Sequence, residues 1–149
     1  FYNRHTLAFR INYPLDDKWN MKSSFNAAFV KFATHSPSKG FLFTHSVNVP
    51  SLGKFVGASF SVGYFHSDDY DSRLTVYESG LPYSISFPSY YGHGYRLSCI
   101  LKYKATESCS LHCKFGHTGY FDRSTIGSGK DMSEGNARQD ISFLLQYKI

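Results

Sequence analysis

At 149 residues, with 42% hydrophobic and 18% aromatic content, the chain is long enough for one structural unit. No stretch approaches the ~18–20 apolar residues of a membrane helix, because the longest uncharged runs, 40–53 and 79–95, are broken by Ser, Thr, Asn, His and Pro. The formal charge of +5 comes from sixteen basic residues spread singly along the chain, without the clustering on one face that nucleic-acid binding requires.

The chain opens Phe1-Tyr2-Asn3, with no basic segment leading into an apolar one, so no signal peptide is read. From there period-two alternation dominates, which is the signature of strands. Nine are predicted, over 4–13, 18–33, 41–49, 54–66, 72–78, 81–88, 94–104, 108–121 and 138–149. In the first, Leu7, Phe9, Ile11 and Tyr13 alternate with Thr6, Ala8, Arg10 and Asn12. In the fourth, Val56, Ala58, Phe60, Val62 and Tyr64 oppose Gly57, Ser59, Ser61 and Gly63. Tyr95, Leu97, Cys99, Leu101 and Tyr103 then alternate with Arg96, Ser98, Ile100 and Lys102, and Cys109, Leu111, Cys113 and Phe115 with Ser110, His112, Lys114 and Gly116. The last strand sets Ile141, Phe143, Leu145, Tyr147 and Ile149 against Ser142, Leu144, Gln146 and Lys148.

The connections alternate in character. Short turns are predicted at 14–17, 50–53, 79–80 and 105–107, and longer polar segments at 34–40, 67–71, 89–93 and 122–137. Short turns on one side, long loops on the other, and strands of about nine or more residues are the pattern of an outer-membrane barrel. Charge placement agrees. All eleven acidic residues fall in turns, loops or their flanks, while Arg10, Arg73, Arg96, Lys102, Lys114 and Lys148 sit within the pattern on its polar face. Those six are expected to face a lumen, where they either favour anions or pair with carboxylates on other strands or on a plug. Lys31 is the exception on an otherwise apolar face. Tyr13, Tyr103 and Tyr147 lie near the short-turn ends, and Tyr64, Tyr90, Tyr91, Tyr95, Tyr120 and Phe121 near the long-loop ends, as two aromatic girdles would. An odd strand count with a periplasmic C-terminus implies at least one further strand on the N-terminal side, so residues 1–149 read as the C-terminal fragment of one barrel domain.

Chemistry-bearing motifs are few. Cys109, His112, Cys113 and His117 carry metal-ligating atoms, but on a strand the two cysteines lie about 14 Å apart and His112 points to the opposite face. No metal site and no cofactor are therefore expected. A hairpin pivoting on Thr106 pairs residues that sum to 212, which sets Cys99 against Cys113; these either bond in an oxidising compartment or stay small apolar residues on the lipid face. No G-x-S-x-G motif occurs, and His93 and His117 are the only histidines placed near loops where a triad could assemble, so no catalytic set is assigned. Residues 126–129 lack the Lys-Ser/Thr of a phosphate loop, and Asp68, Asp69 and Asp71 lack EF-hand spacing.

The last nine residues resemble the C-terminal assembly signal of outer-membrane proteins, with Tyr147 third from the end; Ile149 stands where that signal usually has Phe or Trp. The resemblance implies recognition by the barrel assembly machinery. More narrowly, Tyr77-Glu78, YSISFPSYYGHG over 83–94, Leu101-Lys102-Tyr103 and GHTGYFDRSTIGSG over 116–129 resemble the closing strands of large Bacteroidota outer-membrane barrel proteins. Those often carry an N-terminal helix-hairpin-helix domain, a pattern absent here, so DNA binding does not carry over. The expectation is an all-β, antiparallel up-and-down transmembrane barrel in the bacterial outer membrane, in contact with its lipid, with a structural, transport or pore role and no enzymatic activity in this segment. The alternatives are an outer-membrane enzyme acting on lipid and a soluble β-barrel that binds an apolar ligand. Leu97, Leu101, Leu111, Phe115, Phe143 and Leu145 discriminate, since a soluble barrel would bury them in a closed core.

Overall fold

The computed structural model describes residues 2–16, 19–33, 36–127 and 129–148. Seven long strands form one antiparallel sheet: β1 (Tyr2–Asp16), β2 (Trp19–Phe32), β3 (Ser38–Leu52), β4 (Val56–Ser67), β7 (His93–Lys104), β8 (Cys109–Tyr120) and β11 (Ala137–Tyr147), neighbours in that order. Between them lie short pieces: β5 (Leu74–Thr75) paired with β6 (Ser89–Tyr90), and β9 (Thr125–Ile126) paired with β10 (Ser133–Glu134) around a 3-10 turn, Gly129–Asp131. Each long strand pairs with the next long one in sequence, and β1 and β11 form the two edges.

The long strands run from 11 to 15 residues. They follow the alternation in the sequence, because a β-strand sends successive side chains to opposite faces. Rows of directly opposed residues keep the faces consistent across the sheet. Phe9, Phe25, Phe43 and Tyr64 share one row, and Arg10, Ser24, Thr44, Gly63 and Arg96 share the next. One face is thus apolar and the other polar. Connections at one end are short, over 53–55 and 105–108, while the other end carries 33–37, 68–92 and 121–136.

Two predicted strands are not sheet strands. Residues 72–78 and 81–88 form a hairpin that leaves the main sheet and lies across its polar face. Its arms meet only at Leu74–Thr75 with Ser89–Tyr90 and at the Glu78–Ser86 bridge. Pro82 and Pro88 explain this, since proline cannot donate to a ladder and is excluded from central strands.

The hairpin creates the only cluster of buried hydrophobics among the described residues. Leu74 and Tyr90 pack on Ala28, Leu42 and Phe65, the last three with 0% exposure, and Val76 and Tyr120 pad the rim. Small residues make room for it. A Cβ on Gly40 would collide with the backbone carbonyl of Ser72, so glycine there lets the segment pass directly over β3. The core therefore sits on the polar face, beneath the hairpin. The apolar face stays open: Phe60 is 50% exposed, Leu101 45% and Phe143 70%.

Candidate functional site

The hairpin is held down from its base to its tip. At the base, Asp69 accepts hydrogen bonds from the Ser38 hydroxyl at 2.6 Å and from the Asp71 and Ser72 amides at 2.9 and 3.1 Å. The bond from Ser38 is the main reason its carboxyl titrates below the ordinary value, with the two amide bonds adding to it and outweighing the cost of burial. Ser72, fully buried, donates to the Lys39 carbonyl at 2.9 Å. Arg4 of β1 donates to the Asp71 and Arg73 carbonyls at 3.3 and 2.6 Å. At the tip, Gln146 of β11 donates to the Tyr83 hydroxyl at 3.3 Å.

Between these anchors lies a buried ionic network. The Glu78 carboxylate accepts four donors: Arg96 Nε and Nη2 and the Tyr90 hydroxyl at 2.9 Å each, and Lys114 Nζ at 2.7 Å. A carboxylate offers about four acceptor sites, so it is saturated. Arg96 also grips Asp140 of β11, Nη1 to Oδ1 at 2.6 Å and Nη2 to Oδ2 at 3.2 Å, and donates to Thr118 Oγ1 at 3.1 Å. Lys114 donates in addition to the Ser79 carbonyl at 2.9 Å. Two cations face two carboxylates, so the group is neutral, and it ties β7, β8 and β11 to the hairpin. Burial opposes the charge on Glu78, but the hydrogen bonds and charges of Arg96 and Lys114 outweigh it and hold its carboxyl at about 2. Burial, with the Glu78 charge beside it, pushes the Tyr90 hydroxyl far above the ordinary value. No buried side-chain polar atom among the described residues lacks a partner. With the Glu78 carboxylate saturated and all five Arg96 N–H groups engaged, this network is a clamp.

Of the six basic residues predicted on the polar face, Arg96 and Lys114 enter this clamp. Arg10 lines a small cavity of about 110 Å³ with Arg96, Glu78 and Tyr90, and Lys102 lines a larger one nearer the short turns. Lys148 lies just past β11, its amide donating to the Ser108 carbonyl at 2.8 Å. Arg73 is displaced from the prediction. It belongs to the hairpin segment, with its guanidinium 4.2 Å from the Tyr70 ring centroid. The sequence pattern puts Glu78 and Asp140 at the flanks of turns or loops and Tyr90 in a girdle, whereas Glu78 and Tyr90 are buried under the hairpin and Asp140 pairs with Arg96.

The cysteine pairing also differs. The β7–β8 register pairs Leu101 with Cys113 and Cys99 with Phe115, two residues away from the predicted alignment, and all three cysteines are free. The reason is the turn. The Ala105 and Thr106 amides both donate to the Cys109 carbonyl, which centres the hairpin near residue 107 instead of 106.

On the apolar face, rings interlock at the long-connection end. Tyr64 and His93 share a hydrogen bond of 2.7 Å, Tyr95 and His117 one of 3.2 Å, and His93 stacks edgewise on His66 and Phe121 at 5.4 and 5.0 Å. Tyr120, predicted for the same belt, turns to the polar face and meets Phe65 at 5.7 Å. Ile141, Phe143, Leu145 and Tyr147 project from the apolar face of β11; Ile149 lies outside the described residues. Among the described residues no group of three or more His, Cys, Asp or Glu side chains is arranged to hold a metal ion.

No family profile matches the chain, and neither a curated protein nor a solved structure matches it.

Proposed function

We propose that this chain is a segment of an outer-membrane β-barrel, with its apolar face against lipid and its polar face lining a lumen that the 68–92 hairpin fills as a plug. The observation that carries this reading is the inverted polarity of the sheet. Leu97, Leu101, Leu111, Phe115, Phe143 and Leu145 are all exposed, while the buried cluster lies on the polar side under the hairpin. A water-soluble protein rarely leaves so wide an apolar surface open, and lipid removes the cost.

Further features support it. Strands of 11 to 15 residues reach or exceed the ~9–11 of a tilted crossing. The short turns gather at one end, and the belt of Tyr64, His66, His93, Tyr95 and Phe121 sits at the other, at the level where amphipathic rings meet lipid headgroups. In this reading β1 and β11 close the barrel through further strands, because an open edge in lipid would strand unpaired backbone groups. The alternating residues Ile141, Phe143, Leu145 and Tyr147 on β11 support the barrel assembly machinery as a partner, and the role is structural or in transport, with no catalysis in this segment.

The test is membrane fractionation of the full-length parent protein, with gel mobility compared before and after boiling. A band that needs detergent and shifts on boiling is expected. A soluble, unshifted band would sink the reading and make apolar ligand binding by a soluble barrel the better one.

A further inference from the structure

Lys31, out of pattern on the apolar face of β2, has a companion there. The registers set Lys31 opposite Asn3, and Phe29 opposite His5 on one side and Lys39 on the other. Lys39 of β3 therefore lies diagonally across from Lys31 on the same face. Diagonal neighbours on paired strands stand ~7–8 Å apart, and the flexible four-carbon stems of two lysines bring both ammoniums to one group placed between them. Both side chains are exposed, and among the described residues neither ammonium makes a hydrogen bond or an ion pair. One carboxylate stands beside Lys39, that of Asp68 just past β4, and it is engaged with the Lys39 amide at 3.0 Å and with His66 at 3.4 Å. Two ammoniums side by side repel each other, so the pair is unfavourable until an anion joins it.

The height of the pair on the sheet matters as well. Phe41, His66 and His93 form one row of the aromatic belt. Lys39 is the next residue outward from Phe41 on that face, ~7 Å farther along the strand. Belt rings mark the level where headgroups meet acyl chains, so the two ammoniums stand at the level of lipid phosphates. Inward of them Phe29, Phe41 and Phe43 are exposed and continue the surface as an apolar track. A basic crown above an apolar track matches one molecule, a lipid with an anionic head, at both of its ends. We propose that Lys31 and Lys39 together hold the phosphate of an anionic lipid whose headgroup carries no cation of its own, with its chains along Phe29, Phe41 and Phe43. A phosphate with two free charges satisfies both ammoniums at once, whereas a zwitterionic headgroup brings a cation that repels them. This site rests on the membrane reading above, and it accounts for the one lysine that the alternation left unexplained.

The full-length parent protein in a neutral detergent is titrated with phosphatidic acid, with phosphatidylcholine of the same chains and with glycerol 3-phosphate, and bound ligand is counted by native mass spectrometry. Phosphatidic acid is expected to bind about tenfold more tightly than phosphatidylcholine, and glycerol 3-phosphate, which has no chains, not to bind. Lys31→Gln combined with Lys39→Gln is expected to bring the two lipids to within about twofold of each other, while Lys31→Arg with Lys39→Arg keeps the preference. Lys22→Gln with Lys102→Gln removes the same charge from the polar face and should leave the preference unchanged. Equal binding of the two lipids, a preference that survives in the Lys31 and Lys39 Gln pair, or one lost equally in the polar-face pair would each overturn the site. Glycerol 3-phosphate binding as tightly as phosphatidic acid would overturn it too, in favour of a free phosphate ester. Boiling-dependent gel mobility, run on every variant, separates the two claims. A heat-modifiable barrel without the lipid preference loses this site alone, and a soluble, unshifted parent protein loses the membrane reading and the site with it.

Discussion

Glu78 and Arg96 meet in a two-pronged ion pair, Nε to Oε2 and Nη2 to Oε1, both at 2.9 Å, with the two side chains only 10% and 11% exposed. One residue belongs to the hairpin and the other to the sheet, so this pair is a main tie between the two. Removing one partner of a buried pair costs ~3–5 kcal/mol, because the other charge is left uncompensated. Glu78→Ala is therefore expected to speed hydrogen exchange at the Val76 and Glu78 amides by roughly two orders of magnitude or more. Exchange in β7 and β8 should change little. Equal protection of the hairpin in the variant would show that the clamp does not hold it.

The same pair sets a pH window. The folded carboxyl of Glu78 lies at about 2, below its ordinary 4.5. A depressed folded value means that the clamp contributes fully above the unfolded value and loses its contribution as pH falls through the folded one. Protease protection of residues 79–85 is expected to persist from neutral pH down to about 4.5 and to fall as the pH approaches 2. Glu78→Gln should abolish this acid dependence; an identical acid transition in that variant would assign it elsewhere.

The β7–β8 register predicts thiol behaviour. Cys99 and Cys113 are diagonal neighbours, and directly opposed residues alone approach to ~4.5–5.5 Å between Cα atoms, inside the disulfide range. Mild oxidation of the native chain should leave Cys99, Cys109 and Cys113 all free. Leu101→Cys, opposite Cys113, should form an internal disulfide. A peptide map showing Cys99 bonded to Cys113 would refute the register.

If the apolar face meets lipid, charge tolerance must differ between the faces. Phe60→Arg, near the middle of β4 on the apolar face, should cost about 2–4 kcal/mol and reduce the heat-modifiable band. Asn48→Arg, on the polar face, should leave it intact. Equal tolerance of both would argue against lipid contact.

Much of this molecule was legible in its residues. Alternation over 94–104, 108–121 and 138–149 placed three strands, found at 93–104, 109–120 and 137–147, and both of their faces, because a period of two leaves no freedom in where side chains point. The polar-face positions of Arg96, Lys102 and Lys114 followed from the same rule. What local pattern could not supply was the fate of 72–88. Its residues alternate passably, yet Pro82 and Pro88 bar it from a ladder, and whether such a segment projects into solvent or folds back depends on what the sheet offers it. Here the sheet offers the bare backbone at Gly40, a floor of Ala28, Leu42 and Phe65, and two cations in need of a carboxylate. The partners Glu78–Arg96 and Arg96–Asp140 lie 18 and 44 residues apart, separations that no spacing rule spans. The sequence by itself determined the strands, their faces and the uneven connections, because those follow from local geometry. Only the tertiary structure decided that the polar face is roofed and that Arg96 and Lys114 are neutralised there, because those depend on long-range packing and on the two-residue register that a single turn sets.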